Sequence, residues 1–231
     1  MRSLLATVFR PACPLCTRPA QGYFCVDCQR QITATRLPQP WQFWQEPLPL
    51  AAWGRYQDAL KRVLGALKYH NRPELARPLG HHLGDLWLTG GHGLPQPPAV
   101  VPIPIHPDKR KIRGYNQAEL LAESFCQYVG LNLYSNLLLR QTHTQAQHHL
   151  SAQEREANLA TAFAMNPHHR RPTAPVLILD DIYTTGATAR TAQTVLQQAG
   201  FSVVGIVVVA TGKADMPAKS PGIKSKTRAK G

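Results

Sequence analysis

The chain has 231 residues, 43% of them hydrophobic, with 26 Lys and Arg against 13 Asp and Glu and a formal charge of +13. That length suits one full α/β domain with a small appendage and a packed core. The longest apolar run, over 203–210, falls well short of the roughly 20 residues of a membrane span. The N-terminal MRSLLATVFR has no small-residue cleavage site, so a cytoplasmic protein without a membrane span is expected. The charge fits either a solvated basic surface or a polyanionic partner.

Four of the five cysteines lie within residues 11–30, as Cys13-x2-Cys16 and Cys25-x2-Cys28. Each pair can present two thiolates to one ion, and two pairs close a tetrahedral shell with no open position. This predicts a structural zinc ribbon over 1–36, with metal binding supplying its folding energy. Disulfides and free thiols are the alternatives, and a cytoplasmic setting disfavours disulfides. Cys126 reads as an ordinary buried cysteine.

Residues 37–55 are a Pro/Trp-rich connector. Residues 56–212 carry the main domain. Tyr56, Leu60, Val63, Leu64 and Leu67 recur at helical spacing, as do Leu75, Leu79, Leu83 and Leu86. Lys68, Tyr69, His70 and Arg72 follow the first of these runs. They either end a helix with favourable positive charge or contribute to a ligand site. A strand over 100–105 holds Pro102 and Pro104, which suit a sheet edge. A polar basic loop, 106–113, precedes a helix over 117–129 that stops at Gly130. Residues 140–160 read as a polar loop feeding a helix from about 151. A buried strand over 176–179, a helix over 187–199 and a strand over 203–209 form a βαβ unit, so the sheet is at least partly parallel. Residues 213–231, with six Lys or Arg and one Asp, read as a disordered basic tail.

Asp180 and Asp181 stand where a buried strand ends, and Tyr183-Thr184-Thr185-Gly186-Ala187-Thr188 leads into a helix. Ligands of open α/β sheets bind at the carboxyl ends of strands. A turn of Gly and Thr offers amides and hydroxyls to a phosphate, and the helix N-terminus adds partial positive charge. Each feature alone also fits a capped helix start. Together they resemble the phosphoribosyl diphosphate (PRPP) motif of type I phosphoribosyltransferases. That resemblance implies a 5-phosphate on Thr184, Thr185, Gly186, Ala187 and Thr188, ribose hydroxyls on Asp180 and Asp181, and Mg(II) bound with PRPP. It also implies a parallel sheet with flanking helices and a hood.

The wider order of segments resembles the ComF/GntX family of phosphoribosyltransferase-like proteins over residues 11–210. Those segments are the paired cysteines, LKYHNRPELA from Leu67, VPIP from Val101 with RKIRGYNQ from Arg110, and Thr144, Gln147, Leu150, Arg155 and Asn158. Thr17 departs from a family pattern that often has Gly there. The resemblance implies that Arg110, Lys111, Arg113 and Gly114 receive pyrophosphate and that Arg155 stabilises its departure from a closing loop. A solvated basic loop and an ordinary connecting loop are the plainer readings of those segments. Two functions follow. One is a PRPP-dependent phosphoribosyltransferase, a glycosyltransferase with an unidentified acceptor, acting in DNA uptake during natural transformation. The other is a non-catalytic module in competence that binds PRPP, nucleotide or single-stranded DNA, with the competence machinery as partner. Trp41, Trp44 and Trp53 would then be either stacking platforms for DNA or interior packing.

Overall fold

The computed structural model describes residues 11–45, 47–90, 93–141 and 162–212. In chain order these form α1 (Val26–Thr33), β1 (Leu50–Arg55), α2 (Asp58–Tyr69), a 3-10 turn (Pro73–Leu75), α3 (Ala76–Thr89), β2 (Ala99–Pro102), α4 (Pro107–Arg113) and α5 (Gln117–Val129). There follow β3 (Leu138–Arg140), β4 (Phe163–Met165), β5 (Val176–Tyr183), α6 (Ala187–Gln198) and β6 (Val203–Thr211). The main sheet runs β1-β6-β5-β2 with every pairing parallel, and β3 and β4 form a separate antiparallel pair.

Side chains of a strand alternate between faces, and here the alternation divides two cores. Leu177 and Leu179 of β5 face the core of α2, α3 and α5, which holds Leu60, Leu64, Leu83, Leu121 and Phe125. Val176 and Ile178 face the other core, built with Ala189, Ala192 and Leu196 of α6 and with Leu138 and Phe163 of the small sheet. The chain is therefore an α/β protein with a parallel sheet flanked by helices on both faces. Its cysteine-bearing segment packs into the first core through Phe24 and Ile32.

Three differences from the sequence reading have physical causes. Residues 50–55, at the end of the Pro/Trp-rich stretch, form β1 and pair in register with β6, as Leu50 with Ile206 and Ala52 with Val208. The segment 106–113 is the helix α4, not a loop. Pro107 opens it, the His106 ring nitrogen accepts from the Asp108 amide at 3.3 Å, and Arg110, Lys111 and Arg113 fill its last turn. Gly114 closes it at φ 84°, in the left-handed region that favours glycine. Nothing in α4 is buried, so no apolar period marks it. Pro102 suits its place as the last residue of β2, a sheet edge, and Pro104 lies beyond the strand.

The tryptophans pack. Trp41, Trp44 and Trp87 meet at centroid distances of 4.9, 6.0 and 6.4 Å. Trp53 is 4% exposed and stacks on His82 at 4.5 Å. Trp44 lies on Gly205, where a Cβ would come within 2.7 Å of the indole. The stacking-platform reading of these rings is therefore corrected.

Candidate functional site

Two sites emerge. At the first, the Sγ atoms of Cys13, Cys16, Cys25 and Cys28 all lie within 4.8 Å of one another, with Cys16 and Cys25 at 3.5 Å. Four thiolates about 2.3 Å from a central ion would be spaced by about 3.8 Å, so this set fits a tetrahedral metal such as zinc. A disulfide, with sulfurs about 2.05 Å apart, does not fit the Cys16–Cys25 pair. The two pairs differ in form. The first is a tight turn closed by Thr17 N–H to Cys13 O and Cys13 N–H to Arg18 O, both 2.8 Å. The second is a helix start, with Cys25 at the N-cap of α1 and Cys28 in its first turn. The thiols perturb one another: the Arg18 amide, with help from neighbouring thiols, pulls Cys16 down to about 6, while burial and the other three thiols push Cys28 up.

Thr17 has φ 62°. A β-branched residue is costly there and glycine is not. Thr17→Gly should therefore stabilise the protein by about 1 kcal/mol, read as a higher urea midpoint at unchanged slope; a lower midpoint would contradict the assignment.

The second site lies at the carboxyl end of β5. Asp180, Ile182 and Tyr183 line a small cavity with residues 184–189. Thr184 and Thr185 are exposed and Gly186 is buried. Gly186 is the N-cap of α6 at φ 79°. A Cβ there would strike the Tyr183 ring and hydroxyl and come within 2.8 Å of the Arg190 guanidinium. Arg190 in turn donates to the Thr185 carbonyl at 2.9 Å, and Thr185 Oγ1 accepts from the Ala187 amide at 3.4 Å. The result is a braced turn with hydroxyls outward and the start of a helix behind it.

The adjacent carboxylates go different ways. Asp181 is 3% exposed. Its Oδ2 lies 2.5 Å from Lys68 Nζ and its Oδ1 accepts from Gln117 Nε2 at 3.3 Å. Asp180 is half-buried and takes the Asp181 amide on Oδ1 at 2.8 Å. Burial first, and then the Asp181 charge, push its carboxyl well above the usual range. Arg140, at the end of β3, lies near enough for Asp180 to offset part of the burial cost of its guanidinium, which sits 4.8 Å from the Phe163 ring.

No protein-family model matches the chain. Curated relatives do. The chain is 32% identical over 199 residues to the DNA utilization protein YhgH of Salmonella typhi, covering 83% of this chain and 80% of that one. It is 28% identical over 201 residues to Competence protein F of Haemophilus influenzae, covering 84% and 82%, and 28% identical to Competence protein ComFC of Bacillus subtilis, covering 86% and 77%. The chain belongs to the ComF/GntX family. Among solved structures, adenine phosphoribosyltransferase from Leishmania tarentolae shares 12% identity at a TM-score of 0.38, covering 69% of this chain and 78% of that one. The Trypanosoma brucei enzyme shares 9% at 0.40, covering 88% of each.

In this ComF/GntX-family chain the expected site residues fall into four groups. Asp180, Thr184, Thr185, Gly186, Ala187 and Thr188 are brought together around one cavity. Asp181 is turned away from it. Arg110, Lys111 and Arg113 lie on α4, with Arg110 held 3.2 Å from Glu119 and Arg113 bonded to Gln117. Gln147, Arg155, Asn158 and the proposed loop and helix around them lie outside the described residues, as does the segment 213–231. Sequence reasoning missed Lys68 as the partner of Asp181 and Arg140 as a neighbour of Asp180. Both sit far from β5 in the chain, and only the packing of α2 and of the separate β3–β4 pair brings them to it.

Proposed function

We propose that this ComF/GntX-family protein binds PRPP with Mg(II) at the β5–α6 turn and serves DNA uptake. The observation that carries the reading is the cradle around Gly186. It joins a left-handed glycine, outward hydroxyls of Thr184 and Thr185, a helix N-terminus and the Asp180 carboxylate in one cavity. A 5-phosphate would take the amides and hydroxyls of residues 184–188, with Asp180 accepting from a ribose hydroxyl. Mg(II) would neutralise charge on the pyrophosphate. In transfer, the bond from the anomeric carbon to pyrophosphate breaks, pyrophosphate leaves with its electron pair, and the acceptor's lone pair forms the new bond. Arg113, on α4, would receive the leaving charge. Zinc on Cys13, Cys16, Cys25 and Cys28 would be structural, since four thiolates fill its shell. The names of the relatives, DNA utilization and competence proteins, support the biological role.

PRPP with Mg(II) at 100 times its Kd should stabilise the protein by about 2.7 kcal/mol, and at the same concentration Asp180→Asn should cut that shift to about 1.4 kcal/mol or less. The raised Asp180 carboxyl adds a pH signature. PRPP affinity should decline on acidification at a pH above the roughly 3.9 of an ordinary aspartate. The same shift costs the free protein stability as pH rises from that value through the folded one. Asp180→Asn should therefore melt higher than wild type near neutral pH, by something like 1 kcal/mol. No PRPP shift at saturation in the wild type would dismiss the ligand. Pyrophosphate release with added bases or amines would identify transfer, and its absence would favour the binding module.

Single-stranded DNA is favoured as a second ligand by one surface. Lys109, Arg110, Lys111 and Arg113 crowd the short helix α4, and the Tyr69 ring, 75% exposed, lies 5.7 Å from the Arg113 guanidinium. Stacking on an exposed ring and backbone neutralisation by cations are how single strands are held without sequence preference. Affinity for an oligothymidylate should fall by at least tenfold between 50 and 200 mM salt, and Tyr69→Ala with Lys111→Ala should weaken it further. A flat salt response would remove this reading.

A further inference from the structure

A cavity of about 510 Å³ lies between the cysteine-bearing segment and the connection from α2 to α3. Its size is that of small-molecule sites, and it shares no lining residue with the β5–α6 turn. Pro11, Pro14 and Tyr23 line it from the cysteine segment, and Arg72, Glu74 and Leu75 from the connection. The Tyr23 ring is 41% exposed, with the Arg77 guanidinium over it at 6.0 Å. An aromatic face beside apolar prolines suits a flat ring, which stacks on it. Arg72 Nη1 and Glu74 Oε1 stand 3.4 Å apart, and both side chains are half-exposed. An exposed ion pair of that length is weak, so its remaining donors and acceptor are available to a ligand. The cavity thus joins a stacking surface to a donor and a carboxylate held side by side.

We propose that this cavity is a nucleobase pocket with a preference for guanine, and that it takes one base of a single strand lying on α4 and Tyr69. Guanine's Watson–Crick edge sets the O6 acceptor beside the N1–H and N2–H donors. An arginine next to an acceptor-only carboxylate is its complement: Arg72 donates to O6, and Glu74 accepts from both N–H groups. Thymine offers the carboxylate one donor, while adenine and cytosine set a ring-nitrogen acceptor against it. The pocket also continues the cationic surface. Arg72 is three residues beyond Tyr69, a span of at most about 10 Å, and the Tyr69 ring lies 5.7 Å from the Arg113 guanidinium of α4. Arg72 and Arg77 against Glu74 keep the rim positive, which suits the phosphates of the same strand. Tyr23 stands two residues before Cys25, so order at the cysteine cluster passes directly to this side of the pocket.

The proposal rests on the single-strand reading. Its test compares oligothymidylate with a strand of equal length in which guanines are interspersed, by fluorescence anisotropy at one salt concentration. The wild type should bind the guanine strand about tenfold more tightly, the size of a charged hydrogen bond gained. Glu74→Ala should erase that preference while leaving oligothymidylate within about threefold. Tyr23→Ala should weaken both strands by about tenfold, and Tyr23→Phe should leave both within about twofold. Lys111→Ala should weaken both strands alike and keep the preference. Equal binding of the two strands by the wild type, or a preference that survives Glu74→Ala, would overturn the proposal while the single-strand reading stands. If the wild type binds neither strand, that reading fails by itself and deoxyguanosine decides the pocket, because it carries no phosphate for the β5–α6 turn. Saturation transfer from the wild type to deoxyguanosine that is lost in Tyr23→Ala would uphold the pocket. No transfer from the wild type, or undiminished transfer from Tyr23→Ala, would refute it.

Discussion

Chelating the metal from the cysteine cluster should lower the melting temperature by about 10 °C or more. Structural zinc contributes roughly 10–16 kcal/mol to folding in isolated finger peptides. Here the described part of the unit also packs on the first core through Phe24 and Ile32, so part of its order survives without metal. A loss of about 3–5 kcal/mol to the whole protein corresponds to that shift at this chain length. The measurements are metal content, expected at one zinc per chain, and a thermal scan with and without a strong chelator. Cys28→Ser should reproduce the chelated state, whereas Cys126→Ser should keep its zinc, because Cys126 lies on α5 among apolar neighbours that push its thiol up to about 12. Full stability after complete zinc removal would mean that the thiol cluster is incidental.

Gly186→Ala should abolish PRPP binding, lowering affinity by at least about 100-fold. Two costs add. The φ of 79° is strained for any residue with a Cβ, at about 1–3 kcal/mol. The new methyl also meets the Tyr183 ring, only 6% exposed and held in the second core, and overpacking of that kind costs about 1–3 kcal/mol more. About 2.7 kcal/mol is 100-fold. The turn relieves both by moving, and the cradle is lost with it. Isothermal titration with PRPP and Mg(II) reads the affinity. Gly22→Ala is the control, because a Cβ there meets nothing within 4 Å. Unaltered affinity in Gly186→Ala would place the phosphate elsewhere.

Much of this was legible in the sequence because the signals were contiguous. The β5 turn spells out its strand, carboxylates, glycine and helix start within a dozen residues, and the periodicity of α5 runs from Gln117 to Val129 as read. What stayed hidden depended on distance or on the absence of burial. β1 is a run of Leu, Ala, Trp, Gly and Arg with weak strand propensity, and it becomes a strand by pairing with β6 at the far end of the chain. α4 buries nothing and is held by its caps and by the contacts of Arg110 and Arg113 to α5. Thr17 had left the first cysteine turn in question. The turn keeps its left-handed residue regardless, at the price of strain. A sequence shows that Asp180 and Asp181 are adjacent but not that they meet different neighbours. Only the strand's alternation separates them.

The borders of the main sheet have a consequence for handling the protein. The outer side of β1 is occupied by the segment 36–43, through Leu37 N–H to Trp53 O, Ala52 N–H to Pro40 O and Leu50 N–H to Phe43 O. The outer side of β2 is met by Val100 N–H to Asn132 O and Tyr134 N–H to Val100 O. Strand-by-strand growth into fibres or swapped dimers needs an open row of backbone groups, and both rims already spend theirs internally. Losses during purification should then follow salt and bound polyanion rather than β-type polymerisation.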